Sequence, residues 1–192
     1  MIFLTSVISD ISEVERIDRY IAEIAQNGGH EPLEKLYLAI KDPVFGYALS
    51  MLKNTQDAED VLHDCCLNIY HSAQQYRSDG KPMAWIFTIT PNLCLRKLRG
   101  QSRISDLPEE DWEPYLESNE GISPEDRVVL EHCLRDLPDD EREILLLHIL
   151  SGMKHREIAE LMDRPLSTIL SKYHRALKKM RVLLNEEDRA HD

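Results

Sequence analysis

The chain has 192 residues, of which 42% are hydrophobic and 30% charged, and its net charge is −12. This length can bury the cores of one or two small domains, and the composition is globular rather than disordered or fibrous. No apolar run is long enough to span a bilayer, and the start of the chain carries acids instead of the basic segment of a secretory signal. Its four cysteines are not spaced like a disulfide framework, so we expect reduced thiols and a cytoplasmic protein.

Helix-forming residues dominate and alternating β-type runs are nearly absent, which predicts an all-α fold. In the first half of the chain, apolar spacing predicts helices over about 11–26, 32–53, 56–74 and 82–100. The first should end at Asn27-Gly28-Gly29, and the second should kink at Pro43. Asn54-Thr55 offers N-cap oxygens to the third, and Ser78-Asp79-Gly80 is a loop before the fourth.

Helical periodicity is lost from residue 101 to residue 122, a stretch that contains Pro108 and Pro114. Nine acids and no Lys or Arg lie between Asp106 and Asp126, which indicates an acidic linker. Further helices are predicted over about 124–136, 139–150, 154–162 and 167–186. The predicted organisation is therefore two small helical domains, 1–100 and 123–187, joined by the linker 101–122 and followed by a tail, 188–192.

The short helix over 154–162 and the long helix after it are separated only by Asp163-Arg164-Pro165, the spacing of a helix-turn-helix. From Arg164 to Arg181 there are six Lys or Arg and no acid, which favours DNA binding over an ordinary solvated basic face. The predicted core positions of the second helix are Ile169, Tyr173, Ala176 and Leu177. The residues predicted to contact base edges or phosphates are Thr168, Ser171, Lys172, Arg175, Lys178 and Lys179.

Three segments resemble one family: DAEDVLHDCCLNIY (57–70), AWIFTITPNLCLRKLR (84–99) and the stretch 137–181. In this order and spacing they are similar to bacterial sigma-70 factors of the extracytoplasmic-function group, which keep only regions 2 and 4. The resemblance covers about residues 30–185 and implies a promoter-recognition subunit of RNA polymerase that recognises the minus-10 and minus-35 elements and helps to melt the former. The implied partners are the clamp helices of the polymerase β′ subunit, the flap of the β subunit, promoter DNA and an anti-sigma factor. No enzyme activity, cofactor or membrane insertion is implied.

The resemblance also assigns residues to region 2. For minus-10 DNA it implies Tyr76, Arg77, Ser78, Lys81, Asn92, Arg96 and Arg99. For the polymerase it implies the helix 57–70, with Asp57, Glu59, Asp60, Val61 and Asp64 at the interface. Two positions depart from the family pattern: Leu170 replaces a basic residue of the reading helix, and Pro91 lies within a helix.

Alternative functions are a stand-alone helix-turn-helix regulator, whose residues 1–100 would sense or dimerise, and a decoy that binds polymerase without reading promoters. A small helical enzyme is a third alternative, for which no nucleophile–base pair or paired-carboxylate pocket is evident. A metal site formed by His63, Cys65, Cys66, His71 and Cys94 is disfavoured, because Cys65 and Cys66 point in different directions on a helix.

Overall fold

The computed structural model describes the backbone of residues 2–101 and 134–190, and the side chains of residues 14–100 and 134–182. Most of the predicted linker, most of the helix predicted over 124–136, Cys133 and the last two residues lie outside these ranges. Every regular element in the described part of the chain is helical, which confirms the all-α fold. The elements are α1 Ile2–Asn27, α2 His30–Leu52, α3 Thr55–Ser72, a 3-10 helix Ala73–Gln75, α4 Pro82–Gln101, α5 Asp139–Ser151, α6 His155–Leu161 and α7 Leu166–Ala190.

Helix ends in the N-terminal unit follow from local chemistry that the sequence displays. Gly28 ends α1 with a positive φ of 58° and returns its N–H to the carbonyl of Ile24 at 3.0 Å. Asn54 caps α3, because its side-chain oxygen accepts the N–H of Asp57 at 2.9 Å, as predicted. Helix α1 starts nine residues earlier than predicted, at Ile2.

The apolar core of α1–α4 continues without a break into α5–α7. Ile21, Leu36, Tyr47 and Phe87 are fully buried among the first four helices. One contiguous cluster of buried residues joins them to Ile144, Leu147, Ile158 and Ile169 of the C-terminal helices. Helix α5 packs against both α2 and α4. The two helical units are therefore in direct contact over a shared apolar surface.

Three of the cysteines are buried, unpaired thiols. Burial raises the pKa of Cys65 to about 11 and the pKa values of Cys66 and Cys94 to about 12. These thiols stay protonated at neutral pH, and they pack as small apolar side chains. Within residues 14–100 and 134–182, no three His, Cys, Asp or Glu side chains are grouped so that they could hold a metal. None of the described helices is long and apolar enough to cross a membrane.

Candidate nucleic-acid and partner interfaces

Helices α6 and α7 form the predicted helix-turn-helix. The turn passes through Asp163, whose φ is +49°, and the N–H of Arg164 closes back on the carbonyl of Ala159 at 2.9 Å. Pro165 precedes α7, and its carbonyl accepts the N–H of Thr168 at 2.9 Å. The left-handed residue and the proline together stop α6 and restart the chain as α7 within five residues.

The inner side of α7 holds Ile169 and Ala176, both fully buried as predicted. Leu177 was predicted to be a core residue, but 40% of its surface is exposed, because it lies one residue beyond the buried line of the helix. Ser171, Arg175, Lys178 and Lys179 are exposed, and Thr168 is half-buried. The Ser171 hydroxyl donates to the Thr168 carbonyl at 3.1 Å, so it is engaged by its own helix.

The basic side chains of the helix-turn-helix meet two acids from the first turn of α5. Lys172 donates a hydrogen bond to Asp140, which also lies 3.7 Å from Arg164 Nη1. Glu141 lies 3.4 Å from Arg175 Nε and 3.2 Å from Lys179 Nζ. Only 17% of the Lys172 side chain is exposed, so this predicted DNA-contacting lysine is held against α5 by Asp140. The Lys172 hydrogen bond is the largest influence that holds the pKa of Asp140 below its usual value.

A cluster of three rings packs α7 against α5 and α6. His148 of α5 stacks on His155 of α6 at a centroid distance of 4.5 Å, and Tyr173 of α7 meets His155 edge-on at 4.4 Å. His148 Nδ1 donates to the carbonyl of Met153 at 2.7 Å, which fixes its tautomer. Burial, followed by the neighbouring histidines, lowers the pKa of His155. The cluster therefore favours the neutral form of His155 and holds the Tyr173 ring half-buried.

The loop predicted to contact minus-10 DNA lies between the 3-10 helix and α4. Tyr76 is half-buried: its hydroxyl donates to Asp18 of α1, and its ring packs 4.8 Å from the ring of Trp85. Tyr76 therefore anchors the loop, while Arg77 and Ser78 are exposed at its tip. Asp18 was not foreseen as a support for this loop, because nothing in the sequence relates positions 58 residues apart.

Lys81 closes the same loop, and it is tied to the helix-turn-helix. Its ammonium lies 2.5 Å from Glu157 Oε1 of α6, and its backbone N–H binds Asp79 at 3.1 Å. A second contact between the units runs from the Tyr47 hydroxyl to Glu143 Oε1 at 3.1 Å. Burial is the largest influence on Glu143 and raises the pKa of its carboxyl. Both contacts join a predicted region 2 element to a predicted region 4 element.

The outer face of α4 carries Asn92, Arg96 and Arg99, all exposed. The Asn92 amide donates to the carbonyl of Thr88 at 3.0 Å, so it lies back along the helix. Pro91 is buried within α4, which continues to Gln101. The helix continues past this proline although the backbone hydrogen bond of one N–H is lost there.

Helix α3 presents acids to α4. Lys97 Nζ lies 3.1 Å from Asp57 and 2.5 Å from Asp60, and Arg96 Nη2 lies 3.3 Å from Asp64. Glu59 is exposed on the same helix. Val61 is fully buried, so its inclusion among the polymerase-binding residues was wrong: its side chain faces the core of the bundle. Leu67, an apolar residue of the same predicted interface helix, has 54% of its surface exposed one turn beyond Asp64.

Comparisons with known proteins place both halves of the chain in one family. Residues 36–104 match the family model described as sigma-70 region 2, and residues 127–180 match the model described as sigma-70, region 4. The RNA polymerase sigma-H factor of Pseudomonas aeruginosa is 25% identical over 172 residues, which cover 83% of this chain and 89% of that protein. The ECF RNA polymerase sigma factor SigE of Mycolicibacterium smegmatis is 31% identical over 146 residues, 73% of this chain and 56% of that protein.

Two solved structures share the fold. CnrH in complex with the cytosolic domain of CnrY has a TM-score of 0.57 and 22% identity, covering 88% of this chain and 98% of that one. The sigma factor RpoE in complex with the anti-sigma factor NepR from Bartonella quintana has a TM-score of 0.59 and 20% identity. The match covers 79% of this chain and 96% of that one.

Proposed function

Because the chain belongs to the sigma-70 family, in its extracytoplasmic-function group, we propose that it directs RNA polymerase to promoters by reading minus-35 and minus-10 elements. The observation that carries this proposal is the order of the two units. A helical bundle that matches region 2 precedes a helix-turn-helix with a basic face that matches region 4, on one chain. It acts with the polymerase and has no catalytic step of its own, and we place it in the cytoplasm with that enzyme.

For the minus-35 element we assign the reading role to α7. Arg175 is exposed in the first half of this helix, and its long guanidinium side chain can reach base edges in the major groove. Lys178 and Lys179 lie about one turn further on and suit phosphate contacts. Leu170 is half-buried, which leaves the exposed face of the helix without the basic residue usual for the family at that position.

For the minus-10 element we assign the loop 77–81 and the outer face of α4. Arg77 and Ser78 are exposed at the loop tip, and Asn92, Arg96 and Arg99 follow along the helix. Exposed cations and a polar loop suit a melted strand, because the backbone needs charge neutralisation and an unstacked base needs a pocket. Tyr76 has a positioning role, since its hydroxyl and its ring are held by Asp18 and Trp85.

For the polymerase we assign the outward face of α3, with Glu59, Asp60, Asp64 and Leu67 in place of the buried Val61. This face combines carboxylates with one exposed leucine, the mixture usual at the margin of a protein interface. We also propose an anti-sigma partner, because both structural neighbours were solved with a bound protein, the cytosolic domain of CnrY and the anti-sigma factor NepR.

Engagement of a promoter requires the two units to separate. Elements about 25 base pairs apart are separated by about 85 Å of DNA, at about 3.4 Å per base pair. The units described above are in contact, and Lys81 of the minus-10 loop is paired with Glu157 of the helix-turn-helix. With the net charge of −12, this arrangement favours weak binding of duplex DNA by the isolated chain and strong binding only with polymerase.

The test is run-off transcription by core polymerase with and without the protein, on a library of promoters from its own genome. We expect specific start sites that appear only with the protein. A library without any specific initiation contradicts the proposal. Tight, sequence-specific binding by the free chain at physiological salt favours instead a stand-alone helix-turn-helix regulator.

A further inference from the structure

Four of the six basic side chains between Arg164 and Arg181 have an anionic partner on α5. Asp140 pairs with Lys172 and Arg164, and Glu141 pairs with Arg175 and Lys179. These cations include Arg175 and Lys179, to which we assign DNA contacts. The positive face of the reading helix is thus largely neutralised within the protein itself.

The two carboxylates are held in place and partly shielded from water. Glu141 has only 6% of its side chain exposed, and Asp140 has 31%. Both occupy the first turn of α5, where acidic side chains are favoured by the positive end of the helix. Partial burial reduces screening, so these pairs resist salt better than exposed ones. A phosphate oxygen offers a lysine or arginine the same kind of partner as a carboxylate oxygen.

We propose that Asp140 and Glu141 are built-in counter-charges that compete with DNA phosphate for the basic residues of α7, and so set the affinity and salt dependence of minus-35 binding. This inference rests on the proposed function, since it assigns a tuning role at the same DNA-binding surface. Arg175 and Lys179 keep part of their surface exposed beside Glu141, whereas Lys172 must leave Asp140 before it can reach DNA.

The competition has a signature in the salt dependence. A cation that binds phosphate releases a counterion from the DNA, but the carboxylate left behind takes up a counterion from solution. The net release is then small. Without the carboxylate, each freed cation that binds phosphate steepens the slope of log K against log salt by about 0.9.

The experiment measures binding of polymerase carrying this protein to a promoter with an intact minus-35 element and to one in which that element is scrambled. Wild type is compared with Asp140→Asn and Glu141→Gln at several salt concentrations. The matched control is Asp139→Asn, which removes the same charge from the same turn; Asp139 is 79% exposed and pairs with Arg142, not with α7. Thermal melting checks the fold of each variant, and Glu141→Gln serves as the second variant if Asp140→Asn is destabilised.

We expect Asp140→Asn and Glu141→Gln to bind the intact promoter about 2- to 10-fold more tightly, the range for loss of one or two partly exposed ion pairs. We also expect the plot of log K against log salt to be steeper. The ratio of the affinity for the intact promoter to the affinity for the scrambled promoter should be smaller than in wild type. Promoter affinities and salt slopes equal to those of Asp139→Asn overturn the inference. Weaker binding overturns it as well, because the carboxylates then position the cations for DNA. If wild type does not distinguish the two promoters, the proposed function itself fails.

Discussion

Removal of a single oxygen atom should weaken the contact between the two helical units. Tyr47→Phe removes the hydroxyl that donates to Glu143 at 3.1 Å and keeps the buried ring, which meets Phe87 edge-on at a centroid distance of 5.4 Å. A hydrogen bond to a charged acceptor contributes about 1.5–3 kcal/mol. Because Glu143 is half-buried and its free carboxylate regains water when the units part, we expect a loss of about 1–2 kcal/mol from the contact.

The assay is fluorescence energy transfer between labels at exposed positions on the two units, Glu34 of α2 and Glu160 of α6, followed in urea below the global unfolding transition. A loss of about 1–2 kcal/mol shifts the opening equilibrium about 5- to 30-fold toward the separated form, so transfer should fall at lower urea. Tyr37→Phe is the control, since it makes the same change on the same helix, where the ring stacks on His63 of α3. Curves for Tyr47→Phe that superimpose on wild type would refute this account of the contact.

Three further predictions concern the same surfaces. Because burial raises the pKa of Glu143, the closed form binds a proton more tightly than the open one; closure should be strongest below the ordinary value of 4.5 and should weaken as pH rises through the raised pKa. Energy transfer measured against pH should lose this dependence in Glu143→Gln. Asp60→Asn with Asp64→Asn should weaken binding to core polymerase by at least about 1 kcal/mol without changing the fold, and Glu31→Gln, an exposed acid on α2, should not; equal affinities in a binding titration would exclude this face of α3. Arg175→Ala should cost about 1–3 kcal/mol and relax the minus-35 preference, whereas Lys178→Ala should weaken binding evenly and reduce the salt slope by about 1; a panel of minus-35 variants at two salt concentrations separates the two patterns.

Helix positions were predictable because the residues that end helices act locally. Gly28 ends α1, Asn54 caps α3 and Pro165 precedes α7, and each effect needs only a few neighbouring residues. Apolar spacing identified the helices of the bundle for the same reason. The start of α1 was missed because its first residues form a helix without acids in the first turn to mark its beginning.

The side of a helix was harder to assign than its position. The family resemblance assigns Val61 to the polymerase interface because it lies within the matching segment, yet Ala58, Val61, Cys65 and Ile69 share one buried face. Their spacing of three and four residues was visible in the sequence and predicts that face. A family segment identifies a helix, whereas periodicity decides which of its residues a partner can touch. Applied to α3, periodicity favours Leu67, which is exposed, over Val61.

Charge partners were beyond sequence reasoning altogether, because they form between elements. The absence of acids from 164 to 181 suggested a stretch of unopposed positive charge. Asp140 and Glu141, more than 20 positions earlier in the chain, oppose four of its six cations. A local count of charges therefore overestimates the positive potential that DNA meets at α7. What the reading helix offers to phosphate depends on how readily its cations leave α5, so the acids of α5 belong to any account of how tightly this helix binds a promoter.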